Sequence, residues 1–376
     1  MARILILHAS FGSGHRHAAE ALRAALEAHP DVEVVVEDTL AYLGPVLQHA
    51  AQELYRQISE HAPRLYQLFY EATDLHHLDA AMRANLRSGR AYRPFLGDLE
   101  RLIGRLAPDL IVGVQQLPLM VLSALRDDGT LRQPINAVVT DFAAHSSWVH
   151  PYIDRYFLPS AITAQLLVRL GVPADILEVT GIPVRAEIAA PKAPAAMRAR
   201  HGLPPNGPVI SLFGAGIEPQ RVRLMLEGLL GLGAPLTLVT VTGRSTELAQ
   251  HLDGLVGHGQ VRLVALGQIA YVDDLVAASD LVITKAGGLI VSEVLARHTP
   301  LMIIDPIPGQ EEWNADMVAA AGAGTQLRLP EMVPIAVQAL LAQPARLALM
   351  RQRAAAVGRP HAAAAIARRL LADLRA

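Results

Sequence analysis

The chain has 376 residues, a formal net charge of −2 and no cysteine. That length accommodates two domains, the near-neutral charge gives no global attraction to nucleic acid, and the missing thiols exclude disulfides and thiolate metal sites. Hydrophobic residues at 52% against 18% charged fit a protein with large cores or one that touches a membrane.

The chain opens on an apolar strand of only five residues, too short for a signal peptide or anchor. No stretch reaches the roughly 18 apolar residues that span a bilayer, so a cytoplasmic or peripheral protein is expected. Short Val/Ile/Leu runs then alternate with Ala/Arg/Leu-rich helical stretches, the pattern of parallel strands joined by crossover helices. Strands are predicted at 4–8, 32–37, 110–113, 135–140, 155–158 and 177–180, then at 209–213, 236–240, 261–264, 281–284, 301–304 and 325–328. Each half makes one doubly wound sheet. The expected class is α/β of the GT-B arrangement, two Rossmann-like domains facing across a cleft. Residues 1–182 form the first domain and 183–207, rich in proline, a loose linker. Residues 208–343 form the second domain, and 344–376 are C-terminal helices packing back across both.

Open sheets of this kind bind ligands beyond the carboxyl ends of their strands, and the candidate motifs sit there. After the first strand come Gly12 and Gly14, expected to allow a tight turn, and His15 before a helix predicted at 17–28. A helix start disfavours imidazolium, leaving a neutral His suited to general-base work. Between Tyr55 and Arg105 lie six of the chain's sixteen aromatics, including Tyr66 and Phe69, and from Met82 to Arg105 there are six arginines, among them Arg83, Arg87, Arg90 and Arg93. Aromatics with arginines suit an anionic membrane interface; the competing interpretation is a helical insertion with core aromatics and a solvated basic face. Directly after the strand at 135–140, Asp141 is placed to orient an imidazole or take a hydroxyl proton. His145 and His150 have a metal-compatible spacing, but no third ligand is evident, so no metal is expected.

The segment 280–293 is the most specific. A strand breaks at Gly287 and Gly288, where a helix begins. Unpaired helical N–H groups and the positive end of the helix dipole then make an anion site, most naturally for phosphate. Lys285 just before it is one of only two lysines among 33 basic residues. Glu293 lies about a turn and a half into the helix, in reach of a sugar hydroxyl, and Gln310 with Glu311 follow the next strand. Phosphate, ribose and hexose acceptors in that order suggest a nucleotide-sugar pocket.

The segments 284–295 (TKAGGLIVSEVL) and 305–314 (DPIPGQEEWN) resemble the donor-binding half of glycosyltransferase family 28. That family contains diacylglycerol glucosyltransferases, monogalactosyldiacylglycerol synthases and the peptidoglycan lipid-intermediate transferase. Segments 8–15 (HASFGSGH) and 138–150 (VVTDFAAHSSWVH) are similar to the diacylglycerol branch. The resemblance implies a UDP-sugar donor, glucose or galactose, held by Gly214, Gly216, Gly267, Lys285, Gly287, Gly288, Ser292, Glu293, Gln310 and Glu311. It implies His15 as catalytic residue, with Asp141 beside it. It also implies a diacylglycerol-type acceptor met by Gly12, Gly14, His145, Trp148 and the aromatic-arginine segment, on the inner face of an anionic membrane. No cofactor is implied, since the UDP-sugar is a substrate. Ala286, where the lipid branch often has proline, and the wording at 115–118 depart from its pattern. A peptidoglycan-type N-acetylglucosaminyltransferase, a UDP-sugar 2-epimerase and a non-catalytic nucleotide-sugar sensor stay open as alternatives.

Overall fold

The computed structural model describes residues 1–58, 62–142 and 144–375, with only the backbone of Arg56 and Pro63. All twelve predicted strands are present, with ends shifted by at most two residues. The chain divides into two compact units, one of Met1–Ala189, Ile307–Trp313 and Arg359–Ala376, the other of Ala190–Pro306 and Asn314–Gly358.

The first unit holds β1 (Ala2–His8), β2 (Val32–Asp38), β3 (Leu110–Gly113), β4 (Ile135–Val138), β5 (Arg155–Leu158) and β6 (Leu177–Val179), all parallel, in the order β2-β1-β3-β4-β5-β6. Both faces of the inner strands are covered, so β1 and β3 read largely as apolar runs whose side chains divide alternately between two cores, while the edge strands β2 and β6 are only partly buried. Leu5, Leu7 and Ile111 join the core under helices Leu78–Tyr92, Gly97–Leu106 and Gln116–Asp127. Ile4, Ile6, Leu110 and Val112 face the opposite way, against helix Ser13–Glu27 and the chain's last helix, Ala362–Asp373. Gly89 permits the closest helix contact here, since a Cβ at that position would lie 2.0 Å from the Met120 carbonyl oxygen.

The second unit holds β7 (Val209–Phe213), β8 (Leu236–Val241), β9 (Val261–Leu266), β10 (Leu281–Thr284), β11 (Leu301–Ile304) and β12 (Gly324–Leu327), parallel in the order β12-β11-β10-β7-β8-β9. Its core gathers Ile210, Leu212, Leu238, Ile283, Met302 and Met350.

Two boundaries differ from expectation. Residues 190–207 are not loose: Lys192 pairs with Asp273 (2.5 Å) and Asp274, while Arg198 binds Asp280 (2.7 Å) and three backbone carbonyls. The Lys192 ammonium, with His201 and Arg200, holds the Asp274 carboxyl well below the usual range. The two C-terminal helices also part company. Pro344–Val357 belongs to the second unit, whereas Ala362–Asp373 completes the core of the first.

Candidate functional site

In each unit the strand order reverses at one point, where the loops leaving neighbouring strands diverge and open a crevice. In the first unit that point lies between β1 and β3. The helix after β1 begins at Ser13, earlier than predicted, which puts His15 inside its first turn. His15 Nδ1 lies 3.1 Å from the carbonyl oxygen of Val114, just beyond β3, and 3.0 Å from Thr140 Oγ1, just beyond β4. A carbonyl only accepts, so the proton sits on Nδ1 and the Nε2 lone pair is left to take another. Burial pushes the imidazole down to about 4, more than the Val114 bond restores, and the charge of His8 lowers it further. Desolvation, rather than the helix dipole invoked from sequence, is therefore the main cause of the neutral ring.

The orienting hydroxyl comes from Thr140, and the expected Asp141–His15 pairing is not formed. Asp141 is 5% exposed and its Oδ2 accepts from the indole Nε1 of Trp148 at 3.1 Å. Burial raises the Asp141 carboxyl to about 6 against the pull of that bond, and the Glu311 charge raises it further. Thr140 was missed because a Thr ending an apolar strand reads as β-propensity alone. His8 was missed too: it is 5% exposed, with Nδ1 lacking a hydrogen-bond partner among the described residues and 4.0 Å from Asp38. Gly12 makes no tight turn. Its backbone is extended (φ −154°), and a Cβ there would meet nothing within 4 Å. Gly14 is the second residue of the helix.

Several residues assigned to the acceptor side face inward. Trp148 is fully enclosed, and His145 (2% exposed) is 2.8 Å from the Tyr70 carbonyl through Nε2 and 2.8 Å from Ser147 Oγ through Nδ1. Neither can touch a bilayer. Tyr66 stacks on Tyr70 with ring centres 6.0 Å apart, while Phe69 is 66% exposed. Arg83 and Arg87 are exposed on helix Leu78–Tyr92. Arg90 instead pairs with Asp127, and Arg93 with Asp128 and Glu100 (3.1 Å), so part of the predicted basic face is already neutralised.

In the second unit the reversal lies between β7 and β10, and it brings Gly216 and Lys285 together. Gly216 takes a positive φ of 77°, and a Cβ there would stand 3.6 Å from Lys285 Cδ and 3.7 Å from Nζ. Gly287 precedes helix Gly288–Ala296, whose first N–H groups receive no side-chain cap. Asn314, 1% exposed, donates to the Ala286 carbonyl at 2.9 Å and pins this turn, a role invisible in sequence. Glu293 is partly buried on the same helix, and Ser292 spends its proton on the Gly288 carbonyl (2.8 Å). Gly214 is closely packed on its Cβ side, where a side chain would lie 2.9 Å from Leu248 and 3.3 Å from Val222. Gly267 is exposed just beyond β9, with open space around it.

Gln310 and Glu311 begin helix Gln310–Ala320, and their segment, Ile307–Trp313, belongs to the first unit. Glu311 Oε2 accepts from the Ile307 amide at 2.8 Å, and Glu312 from the Gly309 amide at 3.3 Å, so two carboxylates hold the preceding loop at the positive helix end. Among the described residues no group of three His, Asp or Glu side chains could hold a metal ion.

Two doubly wound parallel sheets with loops of this kind at their reversal points define the two-domain α/β class of GT-B glycosyltransferases. Solved structures of that architecture align over nearly the whole chain. S. aureus MnaA in complex with UDP gives a TM-score of 0.65 at 15% identity, covering 100% of this chain and 97% of its own. MurG of Acinetobacter baumannii gives 0.64 at 16%, covering 99% of each. A family model described as monogalactosyldiacylglycerol (MGDG) synthase matches residues 15–184. A processive diacylglycerol beta-glucosyltransferase from Bacillus pumilus (strain SAFR-032) is 30% identical over 351 residues, 93% of this chain and 89% of that one. One from Bacillus cereus (strain 03BB102) is 27% identical over 372 residues, 99% and 94% of the two chains. The chain belongs to glycosyltransferase family 28, in its diacylglycerol glycosyltransferase branch.

Proposed function

We propose that this UDP-sugar-dependent hexosyltransferase moves glucose from UDP-glucose to diacylglycerol or a glycosylated diacylglycerol, with inversion at the anomeric carbon. The likeness to the curated beta-glucosyltransferase over 93% of the chain carries the choice of sugar and acceptor. A β-linked product from an α-linked donor requires inversion, hence a direct in-line displacement. The lipid hydroxyl attacks C1 as its proton passes to His15 Nε2. The C1–O bond to the diphosphate breaks, and UDP departs with the bonding pair. Lys285 and the helix start at Gly288 stabilise that charge, since dipoles already aimed at it need no reorganisation. Glu293 binds the ribose, and Gln310 with Glu311 the hexose hydroxyls. Labelled UDP-glucose and UDP-galactose, each incubated with diacylglycerol vesicles, test this through the extracted lipids. Glucolipid is expected. Galactolipid alone would move the donor assignment, and an isomerised UDP-sugar without lipid product would assign epimerase chemistry instead.

The same function places the enzyme on the cytoplasmic face of the membrane as a peripheral protein. Among the described residues no single helix is long and apolar enough to cross a bilayer. Leu65, Leu68 and Phe69, at i, i+3 and i+4 on helix Pro63–Ala72, are 59%, 65% and 66% exposed, and Leu54 on the preceding helix is 61% exposed. Replacing Leu65, Leu68 and Phe69 with Gln should abolish most binding to anionic vesicles while sparing UDP affinity. Because Arg90 and Arg93 are paired within the protein, changing Arg83 and Arg87 should account for most of the salt dependence. Co-sedimentation that is unchanged in the triple variant would reject this face.

A further inference from the structure

Inside the first unit a run of rings passes from Phe11 to Tyr55 (5.4 Å), Tyr66 (6.1 Å), Tyr70 (6.0 Å) and Trp313 (5.3 Å). Gly309 fits against it only without a side chain, since a Cβ there would lie 2.8 Å from the Tyr70 ring. Two buried polar groups in this surrounding bear on what could bind there. Tyr70 is 8% exposed, and its hydroxyl has no hydrogen-bond partner among the described residues. Asp141, 5% exposed, accepts one hydrogen bond among the described residues, from Trp148. Glu311, 9% exposed, places a second carboxylate close enough for its charge to act on Asp141 and on Tyr55. A buried phenol normally has its hydrogen-bonding capacity filled, and one left unfilled calls for an explanation, of which a bound ligand is one.

We propose that Tyr70 and Asp141 recognise hydroxyls of the hexose of the nucleotide-sugar donor, beside Gln310 and Glu311. This rests on the function proposed above. The chemistry selects the ligand. Carboxylates only accept, and the Tyr70 hydroxyl has a proton to give, so the ligand must both donate and accept, as adjacent sugar hydroxyls do. Two carboxylates repel a phosphate, and a cation cannot accept from the phenol. A lipid tail would leave every one of these groups unsatisfied. Aromatic rings around them suit the C–H faces of a pyranose. Because Tyr66 and Trp313 border the Tyr70 ring, the hexose reaches the hydroxyl by displacing one of them.

The test is calorimetric titration of the full-length protein with UDP and with UDP-glucose. Tyr70→Phe removes an oxygen that bonds nothing among the described residues and keeps the ring contacts with His145 and Trp313, so folding loses no described interaction. Affinity for UDP should stay within about twofold, and affinity for UDP-glucose should fall roughly tenfold, the discrimination of one hydrogen bond in a desolvated site. Trp313 emission in the wild type should respond to UDP-glucose and not to UDP, Trp148 being fully enclosed. A Tyr70→Phe variant that binds both as tightly as wild type overturns the assignment and leaves the enzyme's function standing. So does a loss confined to turnover of a glycosylated lipid, which would hand these groups to the acceptor sugar. A wild type that binds neither nucleotide would overturn this inference and the proposed function together.

Discussion

His15→Ala should lower kcat by roughly 10²–10⁴ and leave the Kd for UDP unchanged. The residue's Nδ1–H is held by the Val114 carbonyl, so only Nε2 is available to take the acceptor's proton. Loss of the ring removes the base without disturbing Lys285 or Glu293, which belong to the other unit. The pH profile separates the two candidates for the base. Burial sets His15 near 4 and Asp141 near 6. With His15 as base, kcat/KM should be flat from neutral pH down to about 5 and decline only towards 4. A limb near 6 that disappears in Asp141→Asn would transfer the role to Asp141, as would a His15→Ala variant with full activity. Thr140→Val, which removes the second oxygen at Nδ1, should reduce kcat more than KM, because it loosens the ring and not the substrate.

Asp141→Asn should stabilise the protein at pH 7.5 while reducing turnover. The folded-state carboxyl, near 6, lies above the 3.8 of a free aspartate. The native state therefore binds the proton more tightly than the unfolded chain does, a contribution fully present below pH 3.8 and lost as pH rises through 6. At pH 7.5 the ionised, buried group costs about 3 kcal/mol by the unit-to-energy conversion. Asparagine carries no charge and still offers an oxygen to the Trp148 indole, so a gain of about 1–3 kcal/mol is expected. The gain should shrink as pH falls from 6 towards 4, where the native aspartate becomes protonated. Denaturant midpoints of both proteins across that range measure it. A pH-independent difference would mean that the carboxylate is not desolvated as its 5% exposure requires.

Most of the architecture could be read before any coordinates, for a physical reason. Inner strands of a parallel sheet covered on both faces are continuous apolar runs, as β3 and β11 are, whereas edge strands such as β2 and β12 carry polar residues and are marked by the alternation of strands with helical stretches. Once the strands are placed, the loops at their carboxyl ends follow, which is why Gly216, Lys285 and His15 were identified where ligands are expected. Side-chain orientation in helix Pro63–Ala72 was also encoded, but the aromatics were read as one group. Tyr66 and Tyr70 are four apart and share a face, whereas Leu65, Leu68 and Phe69 share another. The first pair turned out to line an interior cluster and the second set to be exposed.

What linear order could not reveal is every partnership made across long separations. His15 meets Val114 and Thr140, 99 and 125 residues away. Arg90 and Arg93 are paired with Asp127 and Asp128 through helix packing, and the last helix crosses back to the first strand's core. Desolvation acts the same way, because it depends on all the atoms packed around a group and not on its neighbours in the chain. The pattern of apolar runs and glycines thus specified sheets, loops and chemical types. Tertiary packing alone decided which nitrogen of His15 is bare, which carboxylate resists ionisation and which phenol is left without a partner among the described residues.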